Sequence, residues 1–276
     1  MSLIRVRDLE IRQGSGILVE HLNWEVKQGE HWVLFGLNGC GKTTLLSYLS
    51  AFLPAEEGQV ELFGERVTAE NQRALRKRIG WVSGSFFGRY YHSETVLEIV
   101  LSGAGGMLGI TGWVEDDRVR KAKALLRRLN LSGKERYPID LLSKGQQEKV
   151  YVARALMSEV EVLILDEPCS GMDLLARERF LHLVETIAKE EAIALIYVTH
   201  HTEEILPIFQ KAALMKDGNF CYTGDLKEVF RPEHLDSFFG VPTEVIWTDR
   251  HFFINLCMEW SQTQEESFGT KEEGNR

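Results

Sequence analysis

Short stretches of this sequence combine residue types and spacings that suit the handling of a phosphorylated ligand. Gly36-Leu37-Asn38-Gly39-Cys40-Gly41-Lys42-Thr43 fits the pattern G-x-x-x-x-G-K-T, after a strand-like apolar run and at the opening of a helix-like one. In that setting the backbone N–H groups of Asn38, Gly39, Cys40, Gly41, Lys42, Thr43 and Thr44 curl around phosphate oxygens, and the helix N-terminus adds partial positive charge. Lys42 offers a cation to the terminal phosphates, and Thr43 a hydroxyl to Mg²⁺. Cys40 reads as an incidental small residue of the loop, although a thiol at a helix N-terminus can be unusually reactive.

Val162-Leu163-Ile164-Leu165-Asp166-Glu167-Pro168 is a continuous apolar run ending in two acids. Uniform hydrophobicity fits a strand buried on both faces, and open α/β sheets bind ligands at the carboxyl ends of strands. Asp166 is therefore placed to hold the Mg²⁺ shell, and Glu167 to orient and deprotonate an attacking water. Alone such a run suits any buried strand; beside a phosphate loop it suits the edge of a nucleotide site. Leu142-Ser143-Lys144-Gly145-Gln146 precedes a run read as a helix over 147–156. Ser143 and Gln146 have the spacing of a capping box, and the same free N–H groups can receive an anion.

In this order the motifs resemble those of the ATP-binding cassette (ABC) family. The match continues in Val152-Ala153-Arg154-Ala155-Leu156, Ser170-Gly171-Met172-Asp173 and Val198-Thr199-His200, and covers roughly residues 3–230. The resemblance implies an α/β fold, a P-loop NTPase of ABC type with a mostly parallel sheet core, an N-terminal antiparallel β subdomain and a helical subdomain. It implies an ATPase that uses ATP and Mg²⁺ in a head-to-tail dimer, each ATP lying between the phosphate loop of one cassette and the Ser143 helix of the other. On that reading Ser143, Gly145 and Gln146 serve the nucleotide, Asp173 lines the shared interface, and His200 contacts the γ-phosphate beside Lys42 and Glu167. His201 matches no family role and is expected to face solvent. The sequence departs from the family at two places. Ile11-Arg12-Gln13-Gly14 lacks the aromatic that stacks on adenine, which leaves aliphatic surface or Arg12 for the base. The strand Ile79-Gly80-Trp81-Val82 runs into Ser83-Gly84-Ser85, where the family commonly has Pro-Gln.

The elements that must position these residues follow from periodicity. Leu3–Arg12 and the Leu22, Trp24, Val26 alternation read as an N-terminal antiparallel hairpin. Trp32–Phe35, Gln59–Phe63, Ile79–Ser83, Val160–Leu165 and Ile193–Thr199 read as strands, with a turn at Pro54–Gly58 and a hairpin over Ala212–Thr223. Helices are expected over Thr43–Ala51, Asn71–Arg78, Thr95–Leu101, Asp116–Leu129, Ala176–Glu190 and Thr202–Phe209. The division is an ABC ATPase domain over 1–230, its helical subdomain at about 84–157, and a C-terminal extension over 231–276 without clear periodicity, disordered from about 261.

Composition bounds the rest. Apolar residues make up 44% and charged residues 26%, as in ordinary globular proteins, and the formal net charge is −9. That balance argues against general nucleic-acid binding, and the basic stretch from Arg118 to Arg128 has apolar residues at helical spacing, so it reads as a solvated helix face. Cys40, Cys169, Cys221 and Cys257 lie far apart and read as reduced cytosolic thiols. The first ten residues lack the apolar core of a signal peptide, and no apolar run approaches the roughly 20 residues of a membrane helix. The expectation is a cytoplasmic subunit, peripheral at the membrane, that couples ATP hydrolysis to a separate transmembrane permease. The stretch Glu94–Gly103 resembles cassettes serving metal, metal-chelate and molybdate-type oxyanion importers. The alternative is a soluble ABC ATPase of repair, cofactor assembly or translation, which the single cassette and the absence of long heptads disfavour.

Overall fold

The computed structural model describes residues 1–14, 16–53, 59–110 and 112–258. The expected Pro54–Gly58 turn and the tail from about 261 lie outside the described residues. Alternating apolar residues build a long antiparallel ribbon, β1 (Ser2–Gln13) and β2 (Gly16–Lys27). Its register shifts between Val6 and Leu9, where Asp8 takes φ 49° and its carboxylate meets His21 Nδ1 at 2.6 Å. The extra residue moves the buried positions from Ile4 and Val6 to Leu9 and Ile11, and so keeps one face apolar.

β3 (His31–Gly36) leads into α1 (Lys42–Leu49). β4 (Gln59–Leu62) and β5 (Glu65–Arg66) then complete the small antiparallel sheet in the order β2-β1-β4-β5. α2 (Gln72–Arg76) precedes β6 (Ile79–Val82). Helices fill the interval that follows: α3 (Gly84–Phe87), α4 (Val96–Ser102), α5 (Asp116–Arg128) and α6 (Lys144–Ala155). Arg154 ties this region together, its Nε donating to Tyr91 Oη and Ser102 Oγ, each at 3.2 Å, and its guanidinium stacking over Phe87. The basic face of α5 is partly neutralised by ion pairs, among them Arg128 with Glu190 at 2.7 Å and Glu191 at 2.8 Å.

β7 (Val162–Asp166), α7 (Leu174–Glu190), β8 (Ala194–Thr199), β9 (Lys211–Lys216) and β10 (Asn219–Asp225) return the chain to the main sheet, whose order is β10-β9-β3-β8-β7-β6. β9, β3, β8, β7 and β6 are mutually parallel, and only β10 is antiparallel. Phe35 pairs with Thr199, Asp166 with Val198, and Val82 with Leu165. This register sets the carboxyl ends of β3, β8, β7 and β6 along one edge, where a ligand site belongs.

One expectation is corrected. The apolar spacing of Ile205, Leu206 and Phe209 does not form a helix over 202–209; a 3-10 turn at Thr202–Glu204 is all that forms, because Pro207 lacks an N–H and its ring blocks the preceding turn. Elements that the sequence did not display continue to Leu256: α8 (Leu226–Val229) is followed by α9 (Pro232–Phe239) and the hairpin of β11 (Thr243–Trp247) and β12 (Phe252–Leu256). Phe238 and Phe252 are buried, and Phe230 makes ring contacts with both Phe35 and Phe252. Most residues of the hairpin strands are exposed, so they carry little of the alternation that marks a half-buried strand.

Candidate nucleotide-binding and catalytic site

Gly36 closes β3 against β9: a Cβ there would lie 2.6 Å from the Met215 carbonyl oxygen and 2.8 Å from Cys40 Sγ. Gly39 (φ 81°) and Gly41 (φ 100°) adopt left-handed backbone, which lets the loop curl before α1 begins. Leu37, Asn38 and Gly39 are exposed, whereas Lys42 is buried and arches back over the loop. Its Nζ donates to the carbonyls of Gly36 at 2.7 Å and Leu37 at 3.0 Å. Thr43 is exposed and Thr44 half-buried at the start of α1. Cys40 is half-buried, its carbonyl accepting from Gly218 N–H at 3.2 Å, and burial pushes its thiol up. The thiol is therefore kept protonated and is not activated as a nucleophile.

Asp166 is buried at the end of β7. Its Oδ2 accepts from Ser83 Oγ at 3.0 Å, while its Oδ1 is buried without a partner. Burial pushes this carboxyl up to about 6, opposed by hydrogen bonds from Ser83 and Thr43. Glu167 takes φ 48°, a conformation uncommon for a residue with a Cβ, and its N–H donates to Val198 O at 2.9 Å. The bend turns its carboxylate toward the phosphate loop, with Oε1 3.2 Å from Lys42 Nζ and 3.3 Å from His200 Nδ1. Thr199 and Tyr197 both donate to Glu204 Oε2, at 2.7 Å and 3.0 Å, and Thr199 Oγ1 accepts from His201 N–H at 2.9 Å. These bonds fix the turn after β8 that carries His200. His201 is exposed, as expected, and its ring packs on that of His200.

The Ser143 turn is a separate surface. Ser143 is exposed, and its N–H donates to Gln146 Oε1 at 3.2 Å. Gln147 Nε2 donates to the carbonyls of Ile139 and Leu142, each at 3.1 Å, holding the approach to α6. A Cβ at Gly145 would lie 3.6 Å from Met172 Sδ, so the start of α6 packs on the segment that ends at Asp173. Asp173 is exposed and caps α7, accepting from Ala176 N–H at 2.8 Å. Among the described residues, no hydrogen bond or ion pair joins Ser143, Gly145, Gln146 or Asp173 to the phosphate loop of the same chain. Leu141, Leu174 and Leu175 beside this turn are 70%, 68% and 58% exposed.

The ABC transporter family matches residues 19–170 of this chain. The uncharacterized ABC transporter ATP-binding protein YlmA of Bacillus subtilis is 36% identical over 253 residues, which is 91% of this chain and 96% of that protein. This chain belongs to the ABC transporter family. Among other ABC proteins, the Fe(3+) ions import ATP-binding protein FbpC of Fusobacterium nucleatum is 31% identical over 233 residues, covering 84% of this chain and 61% of that one. The solved structure of cbiO1 from Clostridium perfringens, part of the ABC transporter complex cbiONQ, superposes with a TM-score of 0.70 at 26% identity, covering 86% of this chain and 93% of that one. The activity of an ABC cassette, ATP binding and hydrolysis by a transporter subunit, is therefore the activity of this chain. Among the described residues no helix is long and apolar enough to cross a membrane.

At the two places where the sequence departs from the family, the local packing is as follows. Leu18 lies against Gly41, its side chain 3.6 Å from where a Cβ would stand. After β6, Ser83 is engaged by Asp166 and caps α3, accepting from Phe86 N–H at 3.3 Å. One residue escaped sequence reasoning. Glu148 of α6 is buried, its Oε2 has no partner, and its Oε1 stands where a Cβ on Gly84 would fall. The available signal was helical spacing: Glu148 shares a face with Tyr151, Val152 and Ala155, all buried.

Proposed function

We propose that this cassette hydrolyses ATP at the edge where β3, β7 and β8 end, with Glu167 as the base that orients and deprotonates water. The observation that carries the reading is the position of Glu167 Oε1 between Lys42 Nζ and His200 Nδ1, beside the phosphate loop. Lys42 is held by loop carbonyls and Glu167, so it is already aimed at the space a terminal phosphate enters. His200 is the contact for the γ-phosphate. The backbone from Gly36 to Thr44 forms the cradle.

The donor set fits Mg²⁺, which takes one or two protein oxygens and completes its shell with phosphate and water. Asp166, with a buried Oδ1 that no protein group engages, and Thr43, an exposed residue beside it, are the residues that would hold it. Held there, Mg²⁺ would supply positive charge against the phosphate oxygens. We take residues 1–230 as the ATPase domain with a helical subdomain at about 84–157, and the chain from 231 onward as a C-terminal extension.

Ser143, Gly145, Gln146 and Asp173 stand apart from the phosphate loop, so they serve the nucleotide of a second copy in a head-to-tail dimer. Exposed Leu141, Leu174 and Leu175 suit burial in that interface. The dimer works with a separate transmembrane permease at the cytoplasmic face of the membrane. The resemblance of Glu94–Gly103 and the kinship with an iron(III) import subunit support a metal, metal-chelate or oxyanion cargo. Size-exclusion chromatography of Glu167→Gln tests the assembly. With ATP and Mg²⁺ the variant accumulates as a dimer, and adding Ser143→Arg returns it to monomer; a dimer indifferent to Ser143→Arg refutes the head-to-tail geometry.

A further inference from the structure

The carboxyl end of β6 presents no long polar side chain of its own: Ser83 is spent on Asp166, and Gly84 has none. The space is filled from another element. Glu148, on the buried face of α6, seats Oε1 where a Gly84 side chain would begin, and leaves Oε2 buried with no partner. A desolvated polar atom without a hydrogen bond is unfavourable, and an apolar side chain would fill the same volume without that penalty. Glycine at 84 and a long acid at 148 are complementary, since a side chain at 84 would have to displace the buried carboxyl of the acid. The acid therefore stands one residue from Ser83, the hydrogen-bond partner of Asp166, on the helix whose first turn carries the Ser143 motif.

We propose that Glu148 is the positioning residue by which α6 senses the Mg²⁺-nucleotide beside Asp166, its free carboxyl oxygen bonding the hydrated metal and phosphate shell when that shell is present. The inference rests on the ATP-site reading above. It gives the orphaned oxygen a partner, and it links occupation of the metal site to the helix that faces the second copy.

The test is binding of a fluorescent ATP analogue to the full chain, measured with EDTA and with saturating Mg²⁺; the ratio of the two affinities is the Mg²⁺ gain and requires no turnover. Glu148→Ala should keep the EDTA affinity and lose about fivefold or more of the gain, the weight of one hydrogen bond. Glu148→Met, of similar length and apolar, should lose the same gain and guards against a folding defect in the first variant. Glu148→Gln should keep the gain. Gly84→Gln alone should melt lower because it displaces the buried Glu148 carboxyl, and Gly84→Gln with Glu148→Ala should recover both stability and gain. A full gain in Glu148→Ala and Glu148→Met, or a double variant no better than Glu148→Ala, overturns the proposal while leaving the ATP site intact. A wild-type protein with no Mg²⁺ gain, or binding indifferent to Lys42→Ala, overturns both.

Discussion

Replacing Glu148 with glutamine should stabilise the protein, and by more as the pH rises. Burial pushes the Glu148 carboxyl up from 4.5 to about 8; the ionised Asp166 adds to the shift and Lys144 opposes it. Tyr151 and Cys169 also feel its charge, and both are themselves pushed up by burial. A carboxyl that holds its proton more tightly when folded contributes no penalty below about 4.5, then weakens folding progressively until about 8. At pH 7 the unfolded chain has released the proton and the folded chain has not, a difference of about 3 kcal/mol; at pH 5 it is under about 1 kcal/mol. Glutamine has nearly the same shape and does not titrate, so the variant escapes this loss. In a chain of this size about 3 kcal/mol corresponds to a melting temperature higher by about 5 °C at pH 7. Asp166 titrates in both proteins and largely cancels in the difference. Scanning calorimetry of the two proteins from pH 5 to pH 8.5 measures the gap. A gap that is constant with pH, or a less stable variant at pH 8, would refute the burial argument.

Lys42→Ala removes the cation aimed at the terminal phosphates and should weaken ATP binding by roughly 10- to 100-fold in a fluorescence titration, the range of a lost charged hydrogen bond. Gly36→Ala sets a Cβ 2.6 Å from the backbone oxygen of Met215, so it should lower the melting temperature and ATP affinity together; an unchanged protein would show that β9 yields at this point. Leu174→Asp with Leu175→Asp should abolish the ATP-dependent dimer of Glu167→Gln in size-exclusion chromatography. Because both side chains are exposed, the stability of the monomer should change by about 0.5 kcal/mol or less per site.

Much of the site is legible in the sequence because its parts are local. The glycines of 36–41, the acids that close β7 and the Ser143 turn each act through backbone and side chains within a few residues, so spacing alone displays them. The parallel core is legible for a similar reason, since strands buried on both faces read as unbroken apolar runs. Features that depend on distant contact are not. Nothing near Gly84 announces that Glu148 fills its space, and the strained bend at Glu167 that aims its carboxylate at Lys42 appears only when β7 and β8 are paired. The C-terminal hairpin escaped notice because it lies mostly in solvent, and 202–209 misled because buried residues beside Pro207 happen to have helical spacing.

In the proposed mechanism Glu167 is the base of a working ATPase rather than an acid that merely neutralises Lys42. ATP turnover and ATP affinity of Glu167→Gln measure this directly. Glutamine keeps the size and removes basicity and charge, so hydrolysis should fall by roughly 10²-fold or more, the usual weight of a positioned general base. Affinity should hold, because Lys42 and the backbone cradle remain. Turnover close to that of the unmodified protein would contradict the assignment, and loss of ATP binding would mean that Glu167 supports the phosphate loop instead of the reaction.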